Sequence, residues 1–152
     1  MLRGAEWAQQ AHYSEGTTEM TEAPFGTLDY IYSPSADVGA ELADLEVTLG
    51  ARVVFAIEEM GTRVAMIELA EGAPQLLLAG HLKGARPVLV FRVVDLKATV
   101  AKLAERGWKK GRMIELPMGP ACVFTARGGH RIAIYERTRP EVARHFEGRR
   151  DF

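Results

Sequence analysis

From Leu28 onward, short apolar runs are separated by turn residues, and their spacing defines regular elements. Runs that alternate apolar and polar residues predict strands, and one segment with apolar residues at helical spacing predicts a helix. Asp37 stands at the expected N-cap of that helix, and Gly50 stands where the helix should end. In the first half, the predicted elements are a strand at 28–32, a helix at 38–49 and strands at 53–57, 63–69 and 75–79.

The second half of the chain predicts the same elements in the same order. Asp95 replaces Asp37 as the helix cap, 58 positions later, and Arg131 corresponds to Gln75, 56 positions later. The predicted elements are a strand at 87–94, a helix that ends at Gly107, and strands at 112–116, 121–126 and 131–135. This ordered series predicts an internal repeat of two βαβββ modules, and therefore an α+β fold.

The repeat divides the chain into three parts. We expect a flexible N-terminal arm over 1–26, because this segment is polar and interrupted by glycine and proline. A paired βαβββ domain follows over 27–136, and it contains module one at 27–82 and module two at 86–136. A C-terminal tail covers 137–152.

Composition excludes several classes of partner. The 152 residues carry a formal net charge of −1, so there is no basic footprint for nucleic acid or for a membrane surface. No apolar run approaches the roughly 20 residues that span a bilayer, and the N-terminus lacks the apolar core of a signal peptide. The single cysteine, Cys122, cannot form an internal disulfide. Together these features predict a cytoplasmic protein.

Three segments carry a resemblance to a known superfamily. They are 28–31 (LDYI), 91–96 (FRVVDL) leading into 101–107 (AKLAERG), and 129–136 (GHRIAIYE). In this order and spacing they resemble the vicinal-oxygen-chelate superfamily, the group of glyoxalase I, bleomycin-resistance proteins and extradiol dioxygenases. The resemblance implies a cup-shaped mixed sheet with helices outside, and a ligand inside the cup that is often bound around one divalent metal.

The resemblance also points to four strand positions that usually supply metal ligands. In this chain they are Tyr30, Leu77, Val88 and Ala133. Three of these side chains have no donor atom, whereas a bound transition metal needs several imidazole or carboxylate ligands. The sequence therefore predicts no metal and no cofactor.

Alternation along the strands predicts which side chains line the cup. Phe55 and Ile57 are expected to face the helices, whereas Cys122 is expected inside the cup with a mixture of aromatic and charged residues. Such a mixture is typical of a small-molecule pocket. The same residues also suit a filled core or a subunit interface, with Arg92 paired to Glu68 or Glu115. The candidate ligand-binding residues are Tyr30, Tyr32, Glu68, Arg92, Phe124 and Tyr135.

Three functions are compatible with this pattern. The first is a metal-independent protein of the glyoxalase or bleomycin-resistance type that binds a small aromatic or acidic organic molecule. The second is a lyase, isomerase or dioxygenase-like enzyme acting on a small organic substrate; the sequence leaves open whether any reaction is catalysed. The third is an interaction module whose cup is closed by its own side chains. We expect a homodimer, because a single cup exposes sheet edges and the superfamily often forms dimers.

Overall fold

The computed structural model describes residues 23–109 and 111–152 of the chain. Most of the arm predicted at 1–26 therefore lies outside the described residues. In module one the elements are β1 (Leu28–Pro34), α1 (Val38–Leu49), β2 (Arg52–Glu59), β3 (Thr62–Glu68) and β4 (Gln75–Ala79). In module two they are β5 (Val88–Val93), α2 (Leu96–Glu105), β6 (Arg112–Leu116), β7 (Gly119–Thr125) and β8 (Arg131–Glu136). A short helix, α3 (Val142–Phe146), follows.

The eight strands form one mixed sheet in the order β2-β3-β4-β1-β5-β8-β7-β6. The first strand of each module is parallel to the last strand of the same module, β1 with β4 and β5 with β8. The two modules join where β1 runs antiparallel to β5. The sheet is not closed, and β2 and β6 are its outer strands. The predicted α+β class, with two βαβββ modules in one mixed sheet, is confirmed.

Both long helices begin at the predicted caps. The Asp37 carboxylate accepts a hydrogen bond from the Ala40 amide at 3.0 Å, and Asp95 does the same for Ala98 at 3.0 Å. Gly50 ends α1 at φ 67°, a left-handed conformation that glycine adopts without strain. Among the described residues, no helix is long and apolar enough to cross a membrane.

The helices cover one face of the sheet, and the opposite face is called the open face below. Val38 and Leu42 of α1 pack on Ala56, Ala65, Ile67 and Leu78 of module one. Leu96 of α2 packs on Val93, Cys122 and Ile134 of module two. These two apolar clusters hold the helices to the sheet and leave the open face for other contacts.

Two strands differ from the predicted alternation. A register shift between Val53 and Phe55 adds one residue to β2, so Ala56 rather than Phe55 lies under α1. The prediction that Phe55 and Ile57 face the helices is therefore wrong. Phe55 is on the open face, where its ring lies 5.6 Å from that of Phe146 in the C-terminal tail.

The second difference lies in β7. Cys122 is directly opposite Ile134, and Phe124 opposite Ile132, so these residues share the helix-covered face. The prediction that Cys122 and Phe124 point into the cup is wrong, because the register of β7 against β8 aligns them with the helix-facing residues Ile134 and Ile132. The hairpin register then decides the face of each residue in the strand. Phe124 instead packs edge-on against Trp108, with ring centroids 5.0 Å apart.

Candidate functional site

The open face is filled mainly by its own side chains in module two. Tyr135 is completely buried, and Val88, Val90 and Ala133 are less than 5 % exposed. Tyr30 and Tyr32 of β1 pack against this cluster and remain partly exposed. Tyr30, Tyr32 and Arg92 therefore offer partly exposed polar groups on β1 and β5, the strands where the two modules meet.

The positions that supply metal ligands in the superfamily do not fit a metal in this chain. Tyr30 is two strands from Ala133, through Val90, and Tyr32 pairs with both Leu77 and Val88. Apart from the phenol of Tyr30, no ligand position carries a donor atom. Within residues 23–109 and 111–152, no group of three or more histidine, cysteine, aspartate or glutamate side chains is placed to hold a metal ion.

A buried carboxylate that sequence reasoning missed lies beside two of the predicted site residues. The register of β1 shifts between Leu28 and Tyr30, and this irregularity brings the Asp29 side chain to Tyr135. The Tyr135 hydroxyl donates a short hydrogen bond to the Asp29 carboxylate. The Arg92 Nε atom lies 3.5 Å from the same carboxylate. Strict alternation would have placed Asp29 on the opposite face from Tyr30, so the sequence carried no direct signal for this cluster.

Tyr135 and Tyr30, whose rings lie 6.1 Å apart, are both held in the neutral form. Burial raises the pKa of Tyr135, and its hydrogen bond to Asp29 raises it further. Burial also raises the pKa of Tyr30, with a second contribution from the nearby negative charge of Asp29. At neutral pH both groups are therefore hydrogen-bond donors. The Tyr30 hydroxyl donates to the Met118 sulfur at 3.6 Å, and a thioether is a weak acceptor that a ligand oxygen can replace.

An open cleft adjoins this cluster at the carboxyl ends of β5 and β8. Its volume is about 610 Å³, within the range of small-molecule sites. Arg92 lines the cleft and also contacts Asp29, so it links the cleft to the buried carboxylate. Glu136 in the wall accepts a hydrogen bond from the Leu96 amide at 2.9 Å, so the first backbone amide of α2 has a hydrogen-bond partner. The positive groups in the wall are Arg92 and Arg137.

A second polar group lies on the module-one side of β1. The Tyr32 hydroxyl is 2.8 Å from Nε2 of His81, and Nδ1 of His81 is 3.3 Å from the Thr62 hydroxyl. Burial raises the pKa of Tyr32. The candidate residues predicted from the sequence did not include His81. Its position directly after β4, the strand beside β1, was the signal that connects it to Tyr32.

Glu68, another predicted site residue, belongs to a separate ion pair. Its carboxylate binds Arg52 at 2.7 Å and accepts a hydrogen bond from Gln75 at 2.7 Å. The hydrogen bond from Arg52 makes the largest contribution to lowering the pKa of Glu68, and the hydrogen bond from Gln75 lowers it further. Glu115 is 2.9 Å from Arg139. The expected pairing of Arg92 with Glu68 or Glu115 is therefore wrong, because each of these carboxylates has another arginine and Arg92 is paired with Asp29.

Comparison with known proteins identifies the fold. No family model matches the chain, and no curated protein sequence matches it. The methylmalonyl-CoA epimerase from Mycobacterium tuberculosis is similar in structure, with a TM-score of 0.65 at 19 % identity over 82 % of this chain and 97 % of that one. The Streptomyces coelicolor methylmalonyl-CoA epimerase, as a variant bound to 2-nitronate-propionyl-CoA, has a TM-score of 0.60 at 17 % identity over 75 % and 99 %. A hypothetical protein from Bacillus halodurans has a TM-score of 0.58 at 15 % identity over 74 % and 94 %.

These similarities confirm the predicted vicinal-oxygen-chelate fold. At such low identity they establish the fold and leave the activity to be argued from the site. Two features of the site bear on the activity. One is the lack of donor atoms at three of the four metal-ligand positions, and the other is the cluster of Asp29, Tyr135 and Arg92.

Proposed function

We propose that this protein is an isomerase-type enzyme that acts on a small organic acid or its acyl thioester. The observation that carries the proposal is the buried Asp29 carboxylate, held by Tyr135 and Arg92 beside an open cleft. Structural neighbours that are methylmalonyl-CoA epimerases, including one bound to methylmalonyl-CoA, favour this class over a pure binding function.

The cluster contains the groups that an isomerisation next to a carbonyl requires. Arg92 and Arg137 bind a carboxylate of the substrate in the cleft. Asp29 removes the proton from the carbon next to the carbonyl to give an enolate. It returns a proton after the enolate has turned its other face toward Asp29, so the configuration at that carbon inverts and the net proton count does not change. The neutral Tyr30 hydroxyl leaves the Met118 sulfur and donates to the carbonyl oxygen, where negative charge develops. Asp29 is only 9 % exposed and is in contact with Arg92. Arg92 must therefore move away from Asp29 as it binds the substrate carboxylate, so that the substrate can reach the base.

No step of this scheme passes through a metal ion. The superfamily often uses a divalent metal at the four strand positions, but Leu77, Val88 and Ala133 cannot ligate one. In this chain, charge stabilisation instead comes from arginine and tyrosine side chains.

A second candidate is the metal-independent binding of an acidic or aromatic molecule without turnover. The absence of donor atoms at Leu77, Val88 and Ala133 favours this candidate, because the chain keeps the fold but lacks the metal ligands of the superfamily's usual chemistry. The complete burial of Tyr135 argues against a large cup in module two, so the ligand would occupy the cleft beside Arg92.

One experiment separates the two functions. The protein is incubated in D₂O with methylmalonyl-CoA and with a panel of 2-substituted dicarboxylic acids, and loss of the C2 proton signal is followed by NMR. Parallel calorimetry measures binding of each compound. The variant Asp29→Asn tests the proposed base, and Glu115→Gln, an exposed carboxylate paired with Arg139, is the matched control.

The outcomes are distinct. Exchange by the native protein and by Glu115→Gln, with about 10²-fold or greater loss in Asp29→Asn, supports the isomerase. Binding without exchange supports the second candidate, and neither binding nor exchange with any compound contradicts both.

Several expectations from the sequence stay predictions. They are the cytoplasmic location, the homodimer and the division into arm, paired domain and tail. At the boundary of the arm, the Gly26 amide donates to the Arg92 carbonyl at 2.9 Å, and the Phe25 ring lies 5.5 Å from that of Phe91. Residues 25 and 26 thus contact module two, and we propose that the domain begins slightly before Thr27.

A further inference from the structure

Residues 148–152, named the tail strand, lie along the outer edge of β2. The Gly148 amide donates to the Val54 carbonyl at 2.8 Å, and the Ala56 amide donates to the Arg149 carbonyl at 2.9 Å. The Asp151 amide donates back to the Ala56 carbonyl at 2.7 Å, and a parallel bridge joins Ala56 to Arg150. The tail strand therefore satisfies backbone groups that an outer strand would otherwise expose.

Charged side chains fix the register of the tail strand. Both terminal nitrogens of Arg150 bind the two carboxylate oxygens of Glu46 on α1, at 2.7 and 2.6 Å. Arg149 binds Glu59 at the end of β2 at 2.6 Å. The Asp151 carboxylate accepts a hydrogen bond from the Glu58 amide at 2.9 Å. A bidentate arginine–carboxylate pair is directional, so these contacts favour an arginine at position 150 and fix the alignment of the tail strand along β2.

The terminal phenylalanine adds an apolar anchor. Phe152 packs against the cluster beneath α1, which contains Val38 and Leu42. The guanidinium carbon of Arg63 lies 4.6 Å from the centre of its ring, a cation–π contact. The outer edge of β2 offers backbone hydrogen bonds, the carboxylates of Glu46 and Glu59 bind arginine, and the cluster beneath α1 accepts an aromatic ring. Together these groups form a site for an extended peptide.

Arg139 ties the start of the connecting segment to the β6–β7 hairpin, and the part of the segment between Arg139 and the tail strand is weakly held by comparison. Helix α3 has five residues, none of them buried, and its N-cap residue Glu141 makes no side-chain capping bond. Its main aromatic contact is that of Phe146 with Phe55. A connecting segment with few contacts can change its path at low cost, which is the condition for exchange of a terminal element between two copies.

We propose that the outer edge of β2, with Glu46 and Glu59, is a strand-binding surface whose partner is the tail strand of a second copy of this chain. In one molecule the surface is filled by its own tail strand, because the covalent link gives a high effective concentration. At high protein concentration two copies exchange tail strands and form a symmetric dimer with the same contacts in both sites. This proposal is independent of the proposed enzymatic activity.

Complementary charge reversals in the full-length chain test the proposal. In Glu46→Arg the site and the tail strand both carry arginine, and in Arg150→Glu both carry glutamate, so the internal contact is repulsive in each variant. When the two variants are mixed, exchange places the introduced glutamate against the introduced arginine in one site, and it restores the native pair of Glu46 with Arg150 in the other. The mixture should therefore form a heterodimer, measured by light scattering and by sedimentation, with association at least about tenfold stronger than for either variant alone.

The double variant with both reversals in one chain is the matched control, because it restores attraction within the molecule and should behave like the native protein. A second measurement uses the native sequence: differently labelled copies are mixed at high concentration, and contacts between the Phe152 ring and the Leu42 methyl groups are sought between molecules by NMR. A mixture that remains monomeric contradicts the proposal. Association of either single variant by itself to the same extent as the mixture also contradicts it.

Discussion

The Tyr135 hydroxyl donates a hydrogen bond to the carboxylate of Asp29, 106 residues earlier in the chain, and this bond ties the last strand of module two to the first strand of module one. Both residues are buried, so removal of the hydroxyl leaves the carboxylate without one partner in a poorly solvated site. We predict that Tyr135→Phe lowers the free energy of unfolding by about 1–3 kcal/mol, measured by urea denaturation.

The control for this prediction is Tyr30→Phe, which removes a hydroxyl from the neighbouring ring, 6.1 Å away. That hydroxyl donates to the Met118 sulfur, so we expect a loss smaller than that of Tyr135→Phe. Equal losses in the two variants would contradict a special role of the bond to Asp29.

The element order was predictable from the sequence, but the composition of the site was not. Asp37, Asp95 and Gly50 act through short-range capping contacts, so their positions in the sequence were enough to place both helices. The faces of Asp29, Phe55 and Phe124 depend on register against a partner strand, and no local pattern reports a bulge or a hairpin turn of that kind.

The predicted site residues Tyr30 and Tyr135 and their partner Asp29 illustrate this difference. Tyr30 and Tyr135 were placed correctly on the open face, because no register shift separates them from their regular neighbours in β5 and β8. Their partner Asp29 was missed, since an irregularity in β1 determines its orientation. Long-range pairing therefore decided which groups meet, whereas local patterning decided only which elements form.

The raised pKa of Tyr135 predicts a dependence of stability on alkaline pH. A tyrosine whose pKa is higher in the folded protein than its ordinary value of 10.0 stays protonated after the unfolded chain has lost the proton. Its contribution to stability is complete below about pH 10 and is lost as the pH rises above that value. Unfolding measured between about pH 8 and about pH 11 should show this decline.

In Tyr135→Phe the decline above about pH 10 should be smaller than in the native protein, although Tyr30 and Tyr32, whose pKa values are also raised, retain part of it. An unchanged slope in Tyr135→Phe would show that the alkaline loss arises from other groups.

Arg92 is predicted to be the main anchor for an acidic ligand, because it lines the cleft with a side chain that is 39 % exposed and also contacts Asp29. For any organic acid that stabilises the native protein, Arg92→Ala should weaken binding about 10- to 100-fold, measured by calorimetry. Arg112→Ala, an exposed arginine on the outer strand β6, is the control and should leave the affinity unchanged. Equal effects of the two substitutions would assign the binding to overall charge.

Removal of divalent metals should change neither stability nor activity. Of the four ligand positions, only Tyr30 offers a donor atom, and the residues that the structure describes contain no alternative group of metal-binding side chains. After dialysis against a chelator, the melting temperature and the rate of proton exchange should equal those before treatment, and elemental analysis of the untreated protein should find far less than one equivalent of iron, manganese, nickel or zinc. Stoichiometric metal, or activity restored by one of these ions, would contradict a mechanism based on Asp29, Tyr30 and Arg92.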